Sequence, residues 1–165
     1  MYKIGDLVVY NQLCVCEILG EESMCFEPLG RKKYYKLCPV LCTDKDTFYY
    51  VPVDYGSGLR KLLTKDEITE ILQKVQKQKV SINNLKKPLL LTAYYKEKFE
   101  GGGLEKSLLL LKEIYLKEKS GAKKLNETDI KYRSRAEKIA IEEISIVFGE
   151  EPSEIKDRLE KLLKT

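Results

Sequence analysis

The chain has 165 residues, 43% hydrophobic and 34% charged, with a formal net charge of +4. This is long enough for one ordinary domain or two small ones, and no apolar run approaches the roughly 20 residues needed to span a bilayer. The sequence contains no histidine, so the usual general base and the commonest metal ligand are missing, and a Ser–His or Cys–His nucleophile pair is excluded.

Five cysteines all lie within the first 42 residues. An odd number of them, in a chain with no signal-like apolar stretch after Met1, argues against a disulfide framework and for a cytoplasmic protein. The spacings Cys14–Cys16 and Cys38–Cys42 differ from the usual C-x₂-C zinc knuckle. We therefore expect reduced cysteines that fill a small β core, without a metal or another cofactor.

The first 63 residues have the pattern of a small β domain. Short segments rich in β-favouring residues predict strands at 6–10, 14–18, 33–41 and 47–53. Turn-forming residues predict turns at 27–30, 44–46 and 56–58. Four or five short strands in about 60 residues indicate a small, strongly bent sheet or barrel of the SH3/Tudor kind.

From residue 64 onward the hydrophobic period is helical. Thr64 and Glu67 have the spacing of a capping box at the start of a first helix. Other start and stop signals predict four more helices, beginning near Pro88, at 104, after Asn126 and at Pro152. The sequence therefore predicts an α+β protein, with a β-barrel domain at 1–63 and a five-helix bundle at 64–165.

No catalytic arrangement is evident in the helical part. The three glycines at 101–103 follow a predicted helix instead of a strand, and they lack the spacing of a phosphate-binding loop. Adjacent carboxylates such as Glu142 and Glu143 diverge around a helix and do not face one another. We therefore expect a protein that is not an enzyme.

Positive charge is concentrated in the middle of the chain. Residues 74–124 carry 13 Lys against 5 Glu, whereas residues 1–63 carry 8 basic and 8 acidic side chains. The middle segment is a candidate surface for a polyanion. A solvated lysine-rich face is the alternative, and composition does not choose between them.

The stretch 86–98 interleaves lysines with aromatic and aliphatic residues at the start of the second predicted helix. Lysines and a helix N-terminus suit phosphate contacts, and an apolar side chain can wedge between base steps. The alternative is an amphipathic helix with Leu91, Tyr95 and Phe99 in the core and the lysines in solvent. From these residues alone, the amphipathic helix is favoured.

Several segments together carry a family resemblance. They are YKIGDLVVY at 2–10, VCEI at 15–18, YYKL at 34–37, YVPV at 50–53, GLRKLL at 58–63, YK at 95–96 and KLNETD at 124–129. In this order they resemble the CarD (CarD/CdnL) family of bacterial transcription factors, whose N-terminal domain is similar to the polymerase-interacting domain of transcription-repair coupling factor. The resemblance covers nearly the whole chain.

The resemblance implies a Tudor-like N-terminal domain that binds the β subunit of RNA polymerase, partly through a strand edge, as in β-augmentation. Tyr50 stands where some members carry an arginine that faces a polymerase glutamate, and Tyr49 and Val51 flank it. The family also implies a monomer without catalytic activity. Such a protein acts by binding the open promoter complex better than the closed one.

The resemblance places the contact with promoter DNA in the helical domain, at the upstream edge of the melted bubble. Leu91 stands where the family commonly has a tryptophan wedged against the minor groove, and leucine is itself a known type of wedge. Lys96 matches the lysine that follows in the family. Lys86, Lys87 and Tyr94 complete the candidate DNA-binding set.

A second hypothesis stays open at this point. The chain could be a basic helical nucleic-acid-binding protein whose β domain recognises RNA or a ribosomal surface. Co-purification with core RNA polymerase would separate the two hypotheses.

Overall fold

The computed structural model describes residues 1–44, 46–54, 58–121 and 124–165. The chain forms two compact units, Met1–Leu62 and Leu63–Thr165, and their division lies one residue before the expected one. The first unit is a β sheet and the second is helical, so the fold is α+β. Within the described ranges, no helix combines the length and the apolar character needed to cross a membrane.

Five antiparallel strands form the sheet of the β unit. They are β1 (Leu7–Tyr10), β2 (Cys14–Phe26), β3 (Gly30–Pro39), β4 (Tyr49–Pro52) and β5 (Leu59–Lys61). Their order across the sheet is β4-β3-β2-β1-β5. Because no pairing joins β4 to β5 in the described part of the chain, the sheet is open, and the expected barrel closure is not confirmed.

The hairpin of β2 and β3 is longer than the sequence pattern indicates. We expected β2 to end at Ile18, but it continues to Phe26. The added residues are mostly exposed, so they show no buried face, and antiparallel pairing with β3 holds them in the sheet. A register shift between Ile18 and Gly20 marks a bulge at the start of this extension. The turn is found at 27–29, while the turns expected at 44–46 and 56–58 lie partly outside the described residues.

The core of the β unit is built from inward-facing side chains of the sheet. Cys14 and Cys16 are buried in it, with their Sγ atoms 3.5 Å apart. The expectation that the cysteines fill the core is thus confirmed for these two and wrong for Cys25 and Cys42, which are exposed. Cys25 lies in the polar extension of the hairpin, and Cys42 follows the end of β3. Among the described residues, no group of three or more His, Cys, Asp or Glu side chains is placed to hold a metal ion.

Five helices form the second unit, as the sequence predicts. They are α1 (Lys65–Lys77), α2 (Pro88–Phe99), α3 (Leu104–Lys119), α4 (Glu127–Phe148) and α5 (Pro152–Leu163). The capping box at α1 is present: the Thr64 hydroxyl accepts from the Glu67 amide, and the Glu67 carboxylate accepts from the Thr64 amide. This hydrogen bonding lowers the pKa of Glu67.

The helix α3 lies at the centre of this unit and packs against the other four helices. It buries charged side chains as well as leucines. Lys112 donates from Nζ to the carbonyl oxygens of Val75, Gln76 and Gln78, each at 2.8 Å. These bonds satisfy carbonyls at the C-terminal end of α1, which have no partner within the helix. Burial lowers the pKa of the Lys112 ammonium.

Candidate functional site

The strand β4 carries the three residues expected to bind polymerase, and it lies at one edge of the sheet. In the described part of the chain it pairs with β3 alone, with Tyr50 opposite Lys36 and Val51 opposite Tyr35. The outer edge of an edge strand presents backbone donors and acceptors that another strand can pair with. The position of β4 therefore suits the addition of a partner strand.

Side chains on β4 alternate between the core and the surface. Tyr50 is 36% exposed, whereas Val51 is buried and Tyr49 is half-buried. The Tyr49 ring lies 5.0 Å from the ring of Tyr10, and burial raises the pKa of Tyr49. A partner can therefore touch the side chain of Tyr50, while Val51 can contribute only its backbone.

Lys36 lies beside Tyr50 at the surface, and the sequence pattern did not identify it as a candidate site residue. Its Nζ lies 4.6 Å from the ring centroid of Phe48 and 6.0 Å from that of Tyr50. It also forms an ion pair with Glu22 at 3.3 Å, and the hydrogen bond in this pair raises the pKa of Lys36. Lys36 becomes a candidate because it lies opposite Tyr50 on the neighbouring strand. This register is not evident from the sequence until the strand pairing is known.

The candidate DNA-binding lysines fall into two groups on the helical unit. Lys86 and Lys87 are exposed together just before α2, and no side chain caps this helix start. Neither forms an ion pair with another described residue. Lys96 is also exposed and lies 3.6 Å from Glu100. It is nine residues beyond Lys87, or about 14 Å further along the helix axis, so the two groups are well separated along α2.

The hypothesis that Leu91 lies exposed as a wedge is wrong. Leu91 is 0% exposed, and Tyr95 and Phe99 are buried on the same stripe of α2. The spacing i, i+4, i+8 puts all three side chains on one face, which packs into the helical core. The exposed apolar residues at this helix start are Leu89 and Leu90, at 82% and 51%. The spacing of Leu91, Tyr95 and Phe99 in the sequence already indicated which leucines are exposed, because Leu89 and Leu90 do not lie on the face that these three residues define.

Tyr94 is held by a buried carboxylate and does not present its hydroxyl to a ligand. Its hydroxyl donates to Glu113, at 3.0 Å from Oε1 and 3.1 Å from Oε2. Glu113 is fully buried and also accepts from Lys98 Nζ at 2.7 Å and from Asn83 Nδ2 at 2.8 Å. Burial raises the pKa of Tyr94. The side chain therefore ties α2 to α3, which differs from the expected contact with DNA.

A second buried carboxylate holds α2 from the other side. The Tyr95 hydroxyl donates to Asp129 Oδ1 at 2.7 Å, and Lys117 Nζ donates to the same oxygen at 2.9 Å. Burial and this hydrogen bond raise the pKa of Tyr95 well above its ordinary value. Because Asp129 is also the N3 residue of the capping box of α4, whose N-cap is Asn126, the bonds join α2, α3 and α4. These bonds hold α2, whose start is exposed, against α3 and α4.

Comparison with known proteins finds no protein-family model that matches the chain and no curated protein that matches it. The assignment of function therefore depends on the residue pattern and on the geometry of these two surfaces.

Proposed function

We propose that this protein is a CarD-like regulator of transcription that binds the β subunit of RNA polymerase and promoter DNA. The β unit docks on polymerase, the start of α2 meets DNA at the upstream edge of the bubble, and the two contacts together change the stability of the open complex. The protein acts in the cytoplasm as a monomer, without catalytic activity or a cofactor. The five antiparallel strands, with β1 between β2 and β5, support a Tudor- or SH3-like fold for the β unit.

The observation that carries the proposal is the position of β4 at the edge of the sheet, with Tyr50 exposed on it. Edge-strand addition provides main-chain hydrogen bonds for affinity, and the exposed side chains provide specificity. Lys36 lies beside Tyr50 and forms an ion pair with Glu22 at 3.3 Å. It can supply the charge that some family members place on an arginine to an acidic partner that displaces Glu22.

The start of α2 supports a contact with DNA, but with apolar residues other than Leu91. Lys86 and Lys87 precede a helix N-terminus, an arrangement that favours phosphate. Leu89 and Leu90 are exposed immediately after them, and leucine is among the side chains that wedge against minor-groove base steps. We therefore assign the apolar DNA contact to Leu89 and Leu90 in place of Leu91.

Docking is tested in the full-length protein by measuring its affinity for a fragment of the polymerase β subunit. Tyr50→Glu places an acid opposite the acidic partner, and we expect it to weaken binding at least tenfold, or about 1.4 kcal/mol. Lys36→Gln should weaken binding to a smaller degree. The matched control is Leu29→Glu, which makes the same charge change at the exposed hairpin turn. Equal affinities for Tyr50→Glu and the control would refute the docking edge.

The DNA contact is tested by the salt dependence of binding to a promoter fragment. Replacing Lys86 and Lys87 by Gln should lower the slope of log affinity against log salt by about one unit per lost phosphate contact. The control replaces Lys131 and Lys138, two exposed lysines of α4, in the same way. If both double variants give the slope of the unaltered protein, the lysines before α2 are solvated and do not contact DNA.

A second candidate function is a basic helical nucleic-acid-binding protein whose β unit recognises RNA or a ribosomal surface. It is favoured by the burial of Leu91, because the family's wedge position is then unavailable and exposed lysines provide most of the contact. Under this alternative, structured RNA competes with promoter DNA at equal concentration, and the protein does not retain polymerase in a pull-down.

A further inference from the structure

The helical unit contains a basic cavity that neither proposed contact uses. It has a volume of about 360 Å³ and lies between the segment that follows α1 and the helices α2 and α3. This volume falls within the roughly 300–1,000 Å³ that is usual for small-molecule sites. Three lysines line it, Lys79, Lys98 and Lys106, and none of its lining residues is acidic.

The charge in this cavity is that of two unpaired lysines. Lys98 is neutralised by Glu113, whose Oε2 lies 2.7 Å from its Nζ. Lys79 and Lys106 are exposed, and within the described residues neither has an ion-pair partner. Two free ammonium groups match a ligand of charge −2. A phosphate monoester carries about −1.5 to −2 at neutral pH, whereas a phosphodiester in a nucleic-acid backbone carries one charge.

The position of Lys98 is fixed by its neighbours. Besides the bond to Glu113, its Nζ lies 4.5 Å from the ring centroid of Tyr94. Burial lowers the pKa of Lys98, but hydrogen bonds to Glu113 and Tyr94 outweigh this and raise it overall. An ammonium has three N–H donors, so Lys98 can offer one to a ligand while it keeps its bond to Glu113.

The remaining wall of the cavity is partly apolar. Val80 and Leu109 give it apolar surface, and Gln78 and Ser81 give it polar groups. A free inorganic anion would leave this wall without contact, whereas the apolar part of an organic phosphate would cover it. The lining therefore matches a ligand with a dianionic end and an organic body that is partly apolar.

We propose that this cavity binds a small organic phosphate monoester of the size of a nucleoside monophosphate. Its phosphate contacts Lys79 and Lys106, with Lys98 as a further donor, and its base or other apolar part packs on Leu109 and Val80. The site is separate from the lysines that precede α2. It would let a phosphorylated metabolite bind the helical unit independently of DNA and polymerase.

The test is calorimetric titration of the full-length protein with the four ribonucleoside 5′-monophosphates. Adenosine 3′,5′-cyclic monophosphate, a diester, and adenosine are the matched ligands. We expect saturable binding of at least one monoester, at least tenfold tighter than that of the diester or the nucleoside. Binding should tighten from pH 5 to pH 7, because the second proton of a monoester is lost near about pH 6.

Variants locate the site. Replacing Lys79 and Lys106 by Gln should weaken the monoester at least tenfold, whereas the same change at Lys131 and Lys138 should leave its affinity within twofold. All four side chains are exposed, so both variants should fold, which circular dichroism checks. The proposal is overturned if no monoester binds saturably up to about 1 mM, if the diester binds equally well, or if both variants lose affinity equally. A lower salt slope for DNA in the Lys79 and Lys106 variant, without monoester binding, would assign these lysines to DNA instead.

Discussion

Truncation of Leu91 tests whether this residue stabilises the helical core or acts as a wedge in DNA. The side chain is fully buried, on a stripe with Tyr95 and Phe99. Leu91→Ala removes its packed methyl groups and leaves a cavity, so we expect a loss of about 2–5 kcal/mol in the free energy of unfolding. Leu89→Ala is the control on the same helix. Leu89 is 82% exposed, so its truncation should change stability by no more than about 0.5 kcal/mol.

Thermal unfolding followed by circular dichroism at 222 nm measures this difference. In a domain of about 100 residues, each 1 kcal/mol shifts the melting temperature by about 4–8 °C. Leu91→Ala should therefore lower the melting temperature of the helical unit by at least about 8 °C, while Leu89→Ala should leave it nearly unchanged.

The lifetime of the open promoter complex, measured with the same variants, tests their effect on function. If the proposed function is right, these exposed leucines take the apolar DNA contact, so Leu89→Ala combined with Leu90→Ala should shorten this lifetime without a loss of stability. Leu91→Ala, measured at a temperature where it remains folded, should give a normal lifetime. A Leu91→Ala protein that melts like the unaltered chain and yet shortens the lifetime would refute the assignment of Leu91 to the core.

Three further predictions follow from the contacts of the described residues. Lys112→Met should destabilise the helical unit by about 1–3 kcal/mol in urea unfolding, because the buried carbonyl of Val75 loses its donor, whereas Lys77→Met on the exposed face of α1 should not. Glu67 has a lowered pKa through its bonds to Thr64, so its charge stabilises the fold above the ordinary carboxyl pKa of 4.5, and this contribution is lost as the pH falls through the lowered value. The stability difference between the unaltered protein and Glu67→Gln should therefore shrink between pH 6 and pH 2, and a constant difference would contradict the capping box as its origin. Addition of EDTA should leave the melting temperature unchanged, since the described residues offer no metal-binding group.

The helical unit could be predicted well because its signals are local. The capping residues Thr64 and Glu67 and the Pro88 start lie within one turn of the boundaries that they set. The stripe of Leu91, Tyr95 and Phe99 likewise identifies the buried face of α2 from its spacing alone. For Leu91 the family resemblance pointed to an exposed wedge and the periodicity pointed to the core, and the periodicity was right.

The β unit was harder to predict because its contacts are not local. The extension of β2 beyond Ile18 has polar residues on both faces, and pairing with β3 is what makes it a strand. The same limit applies to the site. Lys36 and Tyr50 are separated in the sequence and become neighbours only through the register of β3 and β4. The bond of Tyr94 could not be predicted for a related reason, since its partner Glu113 lies on the next helix.

The two buried carboxylates explain why the start of α2 is a suitable place for a contact with DNA. Isolated buried charges are costly, and here each is compensated by a lysine, with Lys98 at 2.7 Å from Glu113 and Lys117 at 2.9 Å from Asp129. The hydroxyls of two adjacent tyrosines in α2 are satisfied by the same carboxylates, so the helix cannot rotate or slide without breaking both sets of bonds. The backbone at its start is therefore held in place before any ligand arrives. The ordering cost of binding then falls mainly on the side chains of the exposed lysines, which is how preorganisation raises affinity without adding contacts.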